Sequence, residues 1–177
     1  MECNEPKNTN KNSCLCIIAI AFSVFILLFS IIFINDTIAP NFINSYTFSE
    51  ESVLIPADGL IVFDTNRVVV GDAISHTPGS DEFIINESGS YYVSFNISVF
   101  QPPEPGIAAI LSVILQQNDV DVLGSFAGHT VSTSFQLVNL SFSVIIEADA
   151  GDVLTVINTS GIAIESLQPN INIIKLS

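Results

Sequence analysis

Apolar positions along this chain follow two regimes. From Leu15 to Ile34 they form one block, LCIIAIAFSVFILLFSIIFI, in which 15 of 20 residues are Leu, Ile, Val or Phe and none is charged. A helix of that length rises through about 30 Å, the thickness of a bilayer core. Beyond residue 40 the period changes to two. Tyr91, Val93, Phe95, Ile97 and Val99 alternate with Tyr92, Ser94, Asn96 and Ser98. Leu140, Phe142, Val144 and Ile146 alternate with Ser141, Ser143 and Ile145. Such alternation predicts strands with one face in a core. Shorter runs follow the same rule at Leu60–Phe63, Arg67–Val70, Glu82–Ile85, Ile107–Gln116, Val120–Phe126, Val153–Asn158 and Ile171–Leu176. Turn pairs punctuate them, among them Asp58-Gly59, Pro78-Gly79, Ser88-Gly89, Asn118-Asp119 and Ala150-Gly151. The expectation is an all-β sandwich or jelly roll behind one hydrophobic N-terminal helix. The chain divides into a polar head at 1–14, the helix at 15–34, a linker at 35–49 and the β domain at 50–177. Pro40–Ser52, polar and mixed, spans the end of the linker and the start of the β domain and reads either as a short stalk or as a first edge strand.

Charge orients the helix. Lys7 and Lys11 precede it, and no base occurs after it until Arg67. By the positive-inside rule the head stays in the cytoplasm and the β domain lies outside, on a single-pass anchor. Two other readings stay open: a cleaved signal peptide, and an apolar plug docked in a neighbouring subunit of a fibre. From Asn35 onward there are 16 acids and two bases, Arg67 and Lys175. That balance excludes a nucleic-acid or anionic-lipid surface on the β domain. The three cysteines, Cys3, Cys14 and Cys16, all lie before or at the start of the helix, so no disulfide framework holds the β domain. Acylation, inert thiols and interchain bridges all remain open for them.

Several strands are apolar on both faces, IAAILSVIL at 107–115 being the clearest. A sandwich needs one apolar face per sheet, so the excess points to a partner, most simply another copy. Ile110, Val113, Leu115, Phe142, Val144, Ile146 and Ile173 are the candidate interface residues. The alternative is that these side chains only face the monomer core.

Ser75–Val99, SHTPGSDEFIINESGSYYVSFNISV, carries a Phe-ending strand, a glycine turn and an aromatic-rich strand through Phe83, Gly89, Tyr91, Tyr92 and Phe95. Together with Ala150-Gly151-Asp152-Val153-Leu154 and the ending Asn172–Ser177 (NIIKLS), it resembles C1q-like and TNF-like jelly-roll heads. The ending is similar to bacterial members that form the heads of collagen-like exosporium (spore surface) glycoproteins. The resemblance spans residues 50–177, with Phe83, Gly89, Tyr91, Phe95, Gly151 and Asp152 as its signature. It implies a ten-strand jelly roll, a homotrimer, and a surface role in structure, adhesion or display. This chain has no collagen-like tract between helix and head, which sets it apart from those members.

Motifs for chemistry are absent: no G-x-S-x-G, H-E-x-x-H, P-loop or C-x-x-C occurs. His76 and His129 are far apart in sequence and show no ligand spacing, so no enzyme and no cofactor is expected. Asp119 and Asp121 could share a strand face and offer oxygens to calcium; a solvated hairpin tip explains them as well. Asn-x-Ser/Thr occurs at Asn35, Asn86, Asn96, Asn139 and Asn158. The loop PPEPG at 102–106 is the nominal contact site for an unidentified surface ligand. A TNF-like soluble ligand, released by cleavage, is the remaining functional alternative.

Overall fold

Two six-stranded antiparallel sheets face one another in the computed structural model of this chain. The structure describes residues 40–48, 51–102, 108–133 and 135–177. The expected helix at 15–34, the polar head and residues 103–106 of the PPEPG loop lie outside the described residues.

The strands are β1 (Phe42–Tyr46), β2 (Val53–Ile55), β3 (Thr65–Val70), β4 (Ile74–His76), β5 (Phe83–Ile85) and β6 (Gly89–Phe100). They continue as β7 (Ala109–Gln117), β8 (Val120–Asp121), β9 (Ala127–Val131), β10 (Val138–Ala148), β11 (Val153–Asn158) and β12 (Ile164–Lys175). The first sheet runs β10-β6-β12-β1-β3, with β2 added on β12; the second runs β4-β5-β11-β7-β8, with β9 added on β7. This is the all-β jelly-roll sandwich that the alternation predicts. It has twelve strands where ten were expected, because β2, β4, β5 and β8 are pieces of two or three residues.

Several elements differ from the sequence reading: Leu60–Phe63 makes only isolated bridges, at Leu60 and Phe63, and of Val120–Phe126 only Val120–Asp121 is a strand, because the chain turns at Leu123-Gly124. Phe42–Tyr46, read as part of a stalk or a first edge strand, is a strand but an internal one, between β12 and β3. Its inward side chains are Ile43 and Ser45, both fully buried, and one isoleucine in five residues is too little alternation to announce a strand. The last strand begins at Ile164, not Ile171. A bulge at Leu167–Asn170 interrupts it, with Gln168 at φ 49° and Pro169 lacking an N–H. The bulge breaks the period and hides the first half of the strand.

The core lies between the sheets. β6 buries Tyr91, Val93, Phe95, Ile97 and Val99, and β12 buries Ile171 and Ile173. Phe63 crosses edge-on to Phe83 and Phe95 at 5.2 and 6.3 Å between ring centroids, and Phe95 stacks on Phe142 at 5.3 Å. The resemblance signature falls on structurally demanding positions. Phe83, Tyr91 and Phe95 are core residues, and the Tyr91 hydroxyl donates to the Glu87 carbonyl at 2.5 Å. Gly89 has φ 156°, and a Cβ there would sit 2.1 Å from the Ser177 carbonyl oxygen.

The two ends of the sandwich differ. At one end lie Asn41, Gly89, the 149–152 turn and the chain terminus, tied by Lys175 N–H to the Asn41 carbonyl and Leu176 N–H to the Ser90 carbonyl. The other end, the tip, is formed by the far ends of β6 and β10, the start of β7 and the β11–β12 connection.

At the first end, Asp152 joins two turns. Its carboxylate accepts from Asn118 Nδ2 and Gln117 Nε2, both at 2.7 Å, and from the Asp149 N–H at 2.9 Å. Those bonds, Asn118 first, hold its pKa below the usual carboxylate value. A depressed folded pKa means the stabilisation is present above the unfolded value, about 3.9, and is lost as pH falls through the folded one. Asp152→Asn should therefore lower the melting temperature at pH 7 by about 2–4 °C, discounted for solvent exposure, and shrink the loss on acidification. Melting curves of both proteins from pH 7 to 2 check this; parallel profiles would contradict it.

Candidate interaction surface

Alternation sends every second residue of β6, β10 and β12 outward. Register decides what meets there. Ile145 of β10 stands opposite Tyr92 of β6, Tyr92 opposite Ile174 of β12, Ile174 opposite Phe42 of β1, and Phe42 opposite Val70 of β3. Five apolar side chains thus cross the outer face of the first sheet in one row, with Ile145 61% exposed. Directly opposed residues sit close enough to act as one surface.

The next row is polar: Ser143, Ser94, Asn172 and Asn44 follow the same register. Asn44 Nδ2 donates to Asn172 Oδ1 at 2.9 Å and to the Ile171 carbonyl at 3.2 Å. Ser141, Asn96, Asn170 and Tyr46 form the third row. This face therefore combines an apolar strip with a hydrogen-bonding field, and its charges stand at the margins: Glu147, which accepts from Ser90, on one side and Arg67, beside Tyr46, Asn96 and Asn170, on the other. A surface whose centre carries no charge suits contact with a copy of a domain as acidic as this one.

The residues expected at the interface are mostly elsewhere. Val113, Leu115 and Ile173 are fully buried inside the monomer, and Phe142 and Ile146 nearly so. Such side chains have no surface left for a partner, because the alternation of β7, β10 and β12 turns them between the sheets. Val144 is half-buried against that core. Ile110 is 57% exposed, on the second sheet, away from the row. Sequence reasoning missed the row because Tyr92 sat in an otherwise polar set. Ile145, the one apolar residue in the outward set of β10 beside Asn139, Ser141, Ser143 and Glu147, was its available signal.

Among the described residues the candidate chemical side chains are not brought together. His76 and His129 lie on β4 and β9, at opposite sides of the second sheet. His76 stacks on Phe83 at 4.3 Å, with Nδ1 2.6 Å from Asn66 Oδ1 and Nε2 3.1 Å from the Ser80 carbonyl. Burial lowers its pKa, outweighing the Ser80 bond and the nearby Asp81 carboxylate. Asp119 occupies a hairpin turn at φ 63°, while Asp121 belongs to β8 and accepts from Gln116 Nε2 at 2.9 Å. Among the described residues no three His, Cys, Asp or Glu converge on a common point. Asn158, read as a modification sequon, is fully buried.

No family model matches the sequence, and none of the curated proteins is detectably similar to it. Solved structures are. The globular domain of the zebrafish complement 1qA protein is 13% identical, with a TM-score of 0.57, covering 77% of this chain and 96% of that one. The Eiger TNF from S. frugiperda is 17% identical, with a TM-score of 0.55, covering 77% and 94%. Murine APRIL at pH 5.0 is 8% identical, with a TM-score of 0.52, covering 77% and 99%. The fold is that of C1q and TNF heads. The C1q/TNF-like jelly roll expected from Ser75–Val99 is therefore present, while the exosporium likeness has no counterpart among these structures.

Proposed function

We propose that this protein is a non-enzymatic, membrane-anchored surface protein whose C1q/TNF-like head assembles as a homotrimer and serves structure, adhesion or display. The observation that carries the proposal is the apolar row Ile145–Tyr92–Ile174–Phe42–Val70, on an outer sheet face that no other described element covers. The fold supports the threefold state, since C1q and TNF heads typically associate as trimers. The uncharged block at 15–34 supports the anchor, and a spore-associated surface layer is the compartment suggested by the similarity of the NIIKLS ending.

Light scattering after size exclusion, on a chain beginning at Asn41, tests the assembly. The expected mass is three times that of one chain. Replacing Tyr92 and Ile174 together by Lys, which puts charge into the row while leaving the buried faces of both strands intact, should yield a folded monomer. A trimer that survives this double substitution would remove the row from the interface. A monomeric parent would remove the assembly itself.

The anchor has its own test. Arg at both Leu27 and Leu28 costs roughly 3 kcal/mol each in membrane insertion. The variant should leave the membrane fraction; unchanged fractionation would favour a block that docks in a neighbouring subunit.

A further inference from the structure

A cleft of about 560 Å³ opens at the tip, lined by Leu54, Gln101, Pro102, Ala109, Ile162 and Ala163 among others. Its walls come from both sheets: Leu54 from β2, Gln101 and Pro102 after β6, Ala109 from β7, and the β11–β12 connection. Among the described lining side chains only that of Gln101 is polar. Gln101 is 3% exposed, yet its Oε1 has no hydrogen-bond partner. A buried acceptor left unpaired costs about 1–3 kcal/mol, so native folds rarely keep one without a use. Size, apolar walls and a single polar group together are the features of small-molecule sites.

We propose that this cleft binds a neutral, largely apolar small molecule carrying one hydrogen-bond donor, with medium-chain aliphatic alcohols as the model class. The donor completes the Gln101 carboxamide, and the chain fills the space between Leu54, Ala109 and Ile162. The site stands apart from the apolar row, which lies toward the opposite end of the sandwich where Phe42 pairs with Ile174. It therefore holds whether or not the row makes a trimer.

The test is photolabelling of the full chain in nanodiscs of zwitterionic lipid, with a diazirine-bearing octanol as probe and peptide mass mapping of the adducts. Saturable adducts are expected at Leu54, Ala57, Ala109 or residues 161–163. Competition by 1-octanol should exceed that by octyl methyl ether, which lacks the donor, by about tenfold. In Gln101→Leu that alcohol-to-ether ratio should collapse towards one, a double difference in which lipid partitioning cancels. Ala163→Phe, or Ala109→Phe if the first fails to fold, should abolish the tip adducts by filling the space. Adducts confined to 15–34 or scattered over the surface would overturn the proposal, as would tip adducts that persist in the filled variants. A ratio unchanged in Gln101→Leu would overturn the role of Gln101.

Discussion

Truncating Phe95 to Ala should remove about 3–5 kcal/mol of stability, among the largest losses expected from a single core change in this protein. Its ring is 2% exposed and belongs to the first sheet through β6. It stacks on Phe142 of β10 and meets Phe63 edge-on, and Phe63 in turn meets Phe83 of the second sheet. The side chain is therefore the joint between the layers. Its removal loses both transfer free energy and the aromatic contacts, worth about 0.5–1.5 kcal/mol per pair. The surrounding strands are hydrogen-bonded on both sides and cannot close over the void. A domain of this size has about 5–15 kcal/mol in total, so the variant should be marginal. Urea unfolding at fixed protein concentration measures this, since assembly adds to apparent stability by mass action. Phe95→Leu should lose roughly half as much. A loss below about 1 kcal/mol for the Ala variant would show that the two layers do not depend on this joint.

The second large effect concerns a polar residue. Asn158 is fully buried at the end of β11. Its Nδ2 donates to the Pro56 carbonyl at 2.7 Å and the Ile162 carbonyl at 2.9 Å, and approaches the Ile55 carbonyl at 3.4 Å. Its Oδ1 accepts from the Ser160 N–H at 3.0 Å. One carboxamide thus satisfies backbone groups of three segments: the exit of β2, the 158–160 turn and the approach to β12. Asn158→Leu keeps the branched four-atom side chain, with bulkier methyl ends, and leaves those groups unpaired, at about 1–3 kcal/mol each, so a loss on the order of 3–5 kcal/mol is expected.

Asn158→Asp provides the control in sign. A carboxylate would face the carbonyls that the amide now satisfies, which raises its folded pKa above the unfolded value of about 3.9. Stability contributed by the neutral acid is then fully present below that unfolded value and lost as pH rises through the folded one. The Asp variant should therefore gain on the Leu variant as pH is lowered from 7 to 4. Equal losses at both pH values would mean that the hydrogen bonds of Asn158 are not what holds the tip.

Both residues were visible in the sequence, in different ways. Phe95 was legible because strict alternation from Tyr91 to Val99 assigns each side chain a face. Asn158 was noticed only as a sequon, since nothing along the chain announces that an asparagine will meet Pro56, about a hundred positions away. Gln101 was missed for a related reason. It precedes the prolines of a loop, and nothing in that local pattern announces that it will be 3% exposed.

By itself, then, the sequence determined what depends on neighbours along the chain. The uncharged block at 15–34, the acidity of residues 35–177, the two-residue period of β6 and β10, and the glycine turns at Gly89 and Gly151 are all local properties. The tertiary structure alone decided what depends on register. A strand's outward residues are known from its period, but which outward residues lie side by side is set by pairings between positions as distant as Phe42 and Ile174. That is why the exposed row runs through Ile145, Tyr92, Ile174, Phe42 and Val70, while Val113, Leu115 and Ile173, equally apolar in sequence, are taken up by the core. Hydrophobic burial favours either placement alike; only strand order and register choose between them.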